Sequence, residues 1–189
     1  VWCSYECFVV LTQIEGLKYE VYTAKQHDSK DFRGVSRPRS AVGIIDGLGM
    51  RVNGQDGAED TEDKALREVH FPVGLAKQAF QLTLETAQAS VEADRVKILN
   101  TIAEQADLAA KPPETHERYD ELNAILRGRF AIVALRGLLE AGEPIEQAAK
   151  LLKGCGRRKL ELGFKDVEAF DANAMQLIAQ NLPSELEEL

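Results

Sequence analysis

Glu6 is the residue whose surroundings most suggest chemistry. The stretch Trp2–Leu11 reads as a helix buried on most sides, in which Trp2, Cys3, Tyr5, Phe8, Val9 and Val10 leave Ser4 and Glu6 as its polar positions. A carboxylate on such a helix is disfavoured in its charged form unless it is paired or solvated. Glu6 is therefore read either as lying on the one solvated edge or paired with a lysine, or as facing a ligand. Cys3 and Cys7 are four residues apart and share a helical face, where packing suits them better than a disulfide. With Cys155 they make three cysteines, and the histidines His27, His70 and His116 are scattered. No metal-ligand spacing results, so no metal site is expected, and the thiols read as reduced, buried and intracellular.

Other candidate chemistry is weaker. Gly47-Leu-Gly49 lacks a third glycine and the strand-turn-helix setting of a phosphate loop. The acidic run Gln55–Asp63 lacks the ligand spacing of a calcium loop. Lys153, Arg157, Arg158 and Lys159 form a small basic cluster at the end of a helix, read as an interaction with that helix's dipole, with an anion or acidic-partner site as the alternative. The net charge of −8 over 189 residues argues against a general nucleic-acid binder, which needs a basic face. No apolar run reaches the roughly 18–20 residues that span a bilayer.

The elements that would position these residues are mixed α and β, mainly α-helical. Leu17–Thr23 carries a strand signal, and Ala41–Ile45 is apolar enough for a short strand near Val42. Asp, Gly, Arg and Ser dominate 27–65, and the part from 50 to 63 is expected to be poorly ordered because it offers little to bury. From 66 to 153 the period is helical. Val91, Ile98, Leu99, Ile102 and Ala106 form one stripe, and Pro112-Pro113 breaks it. Tyr119, Leu122, Leu126, Phe130 and Val133 form the next, with Gly128 expected to divide it and leave Phe130–Leu139 as a separate helix. Glu143-Pro144 is expected to start a helix with Pro at its first position and Ile145, Ala148, Ala149 and Leu152 inward.

The last stretch repeats itself. Leu160, Leu162 and Phe164 alternate as in a strand over 159–164, and Ala174, Met175, Ile178 and Leu182 make a helical stripe that Pro183 ends. Laying Leu189 on Leu160 gives a 29-residue period, within the roughly 20–29 of leucine-rich repeats. A unit of this length cannot cover its own apolar face and requires stacked neighbours. The expectation is a piece of a longer protein, with Leu160, Leu162, Ile178 and Leu182 in one apolar layer and Leu186 and Leu189 left at its edge.

Trp2-Cys3-Ser4-Tyr5-Glu6 resembles the W-C-x-x-E helix of Toll/interleukin-receptor-like (TIR) domains, in which a short strand comes next. The Ala-rich turn at 87–90, Asp94-Arg95, Ile98, Ile102, Asn123 and Leu126-Arg127 resemble the region after that motif in large TIR-like proteins of dinoflagellates and other protists, many of which carry repeats downstream. The resemblance implies the end of a TIR-like α/β domain over 1–26, a charged loop or linker over 27–65, a helical spacer over 66–155 and a first leucine-rich repeat over 156–189. It implies a cytoplasmic protein-interaction or signalling scaffold with a protein partner, needing no cofactor, no nucleic acid and no membrane. It also implies an alternative, an NAD-cleaving enzyme with Glu6 as its catalytic residue on the ribose of the nicotinamide half. The pocket for that reaction would come largely from residues before Val1, so the chain as it stands is expected not to cleave NAD. A purely structural helical module is the third reading.

Overall fold

The computed structural model describes residues 20–27, 40–45, 68–158, 160, 162, 164 and 167–187. These residues are mainly helical. Two strands, β1 (Glu20–His27) and β2 (Ser40–Ile45), pair antiparallel from Glu20 opposite Ile45 to His27 opposite Ser40, with the register interrupted between Tyr22 and Gln26. The strand expected near Val42 is therefore present, and the one expected over 17–23 overlaps β1. The helices are α1 (Val73–Ala79), α2 (Glu92–Ile102), α3 (Glu117–Glu140), α4 (Glu146–Leu151) and α5 (Ala172–Ala179). Short 3-10 turns at Leu84–Thr86 and Leu152–Gly154 join them.

α3 organises the rest, and its ends are written in its sequence. His116 caps the start, its Nδ1 accepting from the Arg118 amide at 3.3 Å, and Glu117 and Asp120 place negative charge on the first turn. At the other end Gly142 takes a left-handed φ of 66°, so that its amide donates to Leu139 O at 3.0 Å and the Glu143 amide to Leu138 O at 2.8 Å. This pair of bonds closes the last turn, and glycine adopts the conformation without steric cost. Gly128 does not divide the helix as the sequence suggested. Its missing side chain is used for close packing, because a Cβ there would lie 2.6 Å from Cys155 Cα.

Two apolar clusters share α3. The larger takes its second half, from Ala131 to Leu139, together with Ile44, Phe71, Ala76, Ile145, Leu152, Leu160 and Ile178. Phe71 meets Phe130 edge-on at 5.9 Å, and Lys77 Nζ pairs with Glu143 Oε2 at 2.6 Å across the α1–α3 contact. The smaller cluster takes the first half, with Tyr119, Leu122 and Leu126 against Leu84, Ile98, Leu99 and Ile102.

Three further expectations need correction. Pro144 precedes Ile145, the capping residue of α4, so it stands outside the helix instead of at its first position; Ile145, Ala148, Ala149 and Leu152 are nonetheless all buried. Met175 is 56% exposed, because α5 presents Ala174 and Ile178 to the core and the next residue along the helix turns outward. Leu160, Leu162 and Phe164 lie in irregular backbone and not in a strand. They still reach the core: Leu160 is buried, while Leu162, Leu182 and Leu186 are half-buried against the larger cluster. The expected positions of Glu161, Gly163 and Leu189, and the expected disorder of 50–63, fall outside the described residues.

Candidate functional site

Glu6, the TIR-like catalytic position, lies outside the described residues, as do Cys3, Cys7, Gly47, Gly49, the acidic run 55–63 and Lys159. Among the described residues no group of three or more His, Cys, Asp or Glu side chains could hold a metal ion. No helix among them is long and apolar enough to cross a membrane. The features left are the junction after α4 and the polar braces around the first half of α3.

The junction begins where the 3-10 turn Leu152–Gly154 settles onto α3. Gly154 lies so close that a Cβ there would be 2.7 Å from Ala124 Cβ, and Gly156 turns the chain away with a φ of 64°. Cys155 sits between them as a buried free thiol. Burial pushes its thiol above the usual cysteine range, although a hydrogen bond from the Arg157 backbone and the charges of Arg157 and Arg129 pull the other way. The thiol stays protonated, which suits a packing role and not a nucleophile. Lys153 occupies the last turn of the 3-10 segment, where a cation meets the carbonyl end of the helix.

Beyond Arg157 the chain makes its loop through α5 and returns. Asp171 caps α5, its Oδ1 accepting from the Ala174 amide at 2.8 Å. The returning segment then meets its own start, where the Glu187 amide donates to Arg158 O at 2.8 Å. The two side chains also face each other, with Arg158 Nη1 at 3.5 Å from Glu187 Oε1. They are 29 residues apart, the same interval that superposes Leu189 on Leu160 in the sequence. The ion pair is exposed and worth about 0–1 kcal/mol at most. The backbone bond fixes the register, and nothing in the spacing of leucines names that partner.

Around the first half of α3, three side chains hold the segment 82–87. Asn123 accepts from the Leu84 amide at 2.8 Å and donates to Glu85 Oε2 at 3.0 Å. Arg127 Nε donates to Leu82 O at 2.6 Å, and Arg95 donates to Ala87 O at 3.0 Å and to Glu85 O at 2.6 Å. The sequence marks Arg95, Asn123 and Arg127 only through the resemblance, without a structural role. Tyr119 is fully buried and donates its hydroxyl to Leu99 O at 2.9 Å.

Burial, reinforced by Glu85 and partly offset by Arg95, raises Tyr119 above the ordinary tyrosine range. A folded-state pKa above the unfolded one, near 10, gives stability that is complete below about pH 10 and is lost as pH rises through the folded value. Chemical unfolding followed between about pH 9 and 11 should show this loss, and Tyr119→Phe should remove that part of the slope while lowering stability at neutral pH by about 0.5–1.5 kcal/mol.

Comparison of the chain with family models, with curated proteins and with solved structures gave no match.

Proposed function

We propose that the chain is part of a cytoplasmic protein-interaction or signalling scaffold, in which a helical spacer carries a leucine-rich turn and a protein partner is recognised by the stacked repeat. The end of a TIR-like domain precedes the spacer in this reading. The observation that supports it is the Glu187–Arg158 backbone bond, which returns the chain to its own start after 29 residues. In a repeat array, equivalent positions of successive turns lie side by side, so a bond at the repeat interval is what such stacking requires. The inward set supports it as well, since Leu160, Ile178 and Leu182 pack on the same core that α3 and α4 build. The test is a chain carrying a second copy of residues 161–189 after Leu189, which keeps the interval at 29. Added turns should stabilise it.

A further inference from the structure

The smaller apolar cluster touches α3 along its first half only, and α2 meets that face through Ile98, Leu99 and Ile102. We propose that α2 and the loop after it form an arm that opens from α3 as one unit while the larger core stays folded, uncovering the Tyr119–Leu122–Leu126 stripe. The proposal is independent of the scaffold reading.

The arm is stapled to itself. The Asn100 amide Nδ2 donates to Leu108 O at 3.2 Å and to Ala110 O at 2.7 Å, and Asn100 O accepts from the Gln105 amide at 2.9 Å. Residues 92–110 therefore keep their shape when they move. Irregular backbone borders the arm at 87–91 and again at 111–116, where Pro112-Pro113 prevents the helix from continuing into α3.

Among the described residues, what holds the arm shut is small. It includes the apolar side chains of Ile98, Leu99, Ile102 and Ala103, the Tyr119 hydroxyl on Leu99 O, the Arg95 bonds to the 85–87 backbone, and an Arg118–Glu104 ion pair at 2.9 Å. The 82–87 segment itself remains with α3, because Asn123 and Arg127 hold it there.

One feature of the closed arm costs free energy. Asn100 Oδ1 is buried without a hydrogen-bond partner. An element with few tertiary ties and an unsatisfied buried polar atom opens below the global unfolding free energy.

The experiment is native-state amide hydrogen exchange on the full chain across low denaturant concentrations. The amides of Ile98–Ile102 should share one opening, separate from and more frequent than that of Ala131–Leu139 in α3. Tyr119→Phe, and separately Arg95→Gln, should each speed α2 exchange roughly tenfold, while Leu160→Ala, in the larger cluster, should speed exchange of Ala131–Leu139 and leave Ile98–Ile102 unchanged. The proposal is overturned if both groups exchange through the same opening and Leu160→Ala speeds both equally. It is overturned equally if α2 amides exchange in a graded series from the helix ends, which is fraying and not an opening arm.

Discussion

Replacing Gly128 by alanine is expected to destabilise the chain by about 1–3 kcal/mol, against the rule that alanine favours a helix interior. Gly128 is buried in the middle of α3, and helix propensity alone would credit the substitution with up to about 1 kcal/mol of stabilisation. The new Cβ, however, would lie 2.6 Å from Cys155 Cα and 2.7 Å from its backbone nitrogen. Those are main-chain atoms, so no rotamer change makes room, and the segment that carries Leu152 and Leu160 has to move off α3. Gly74 in α1 is the matched control, since a Cβ there meets nothing within 4 Å. Gly74→Ala should leave stability unchanged or raise it by up to about 1 kcal/mol. Thermal unfolding of the two variants should move in opposite senses, or at least differ by several degrees. If Gly128→Ala is as stable as the parent chain, the junction does not rest on α3 as described.

Truncating Leu160 to alanine should cost about 2–5 kcal/mol. Leu160 is 1% exposed and belongs to the larger cluster with Leu152, Val167, Ala174 and Ile178. It is the first apolar residue after Arg158, whose carbonyl accepts from the Glu187 amide, so removing it opens a cavity in the larger cluster. Leu162, which the spacing of leucines places in the same layer, is only half-buried and should cost less on truncation. The order of the two, Leu160→Ala worse than Leu162→Ala by urea unfolding, checks where the layer sits. A chain of this size shifts its midpoint by roughly 2–4 °C per kcal/mol, so the larger effect should be plain in a thermal melt as well. A neutral Leu160→Ala would mean that Leu160 does not pack in the larger cluster.

How much of this is legible in the sequence depends on the range of the interaction. The stripe from Tyr119 to Val133 announces α3, and the capping chemistry at Gly142 is local, so the helix end can be read directly. The buried face of α4 is likewise visible in four residues. Gly128 misleads because its reason lies in Cys155, which the helical period does not mention. Met175 is apolar and so reads as inward, but α5 is short and Ala174 and Ile178 already fill its one contact face. The leucine alternation at 160–164 indicates burial without specifying strand geometry, and the backbone there takes the first and not the second. Of the candidate site, the 29-residue interval is legible and the rung that fixes it is not. Hydrogen bonds between backbone groups carry no residue-type signature. The braces from Arg95, Asn123 and Arg127 escape for the same reason, since two of the three act mainly on carbonyl oxygens.

A tandem chain tests the proposed stacked repeat most directly. A second copy of residues 161–189 placed after Leu189 puts each added residue 29 positions beyond its original, in register with the Arg158–Glu187 rung. The added turn is expected to cover Leu182 and Leu186, which are half-buried in the parent chain. The melting temperature of the tandem chain should exceed that of the parent by several degrees, because nearest-neighbour contacts in a repeat array add to stability. A copy inserted with one extra residue, and so out of register, should bring no such gain. An in-register tandem chain that melts with the parent, or no higher than the out-of-register one, would contradict the stacked-repeat reading.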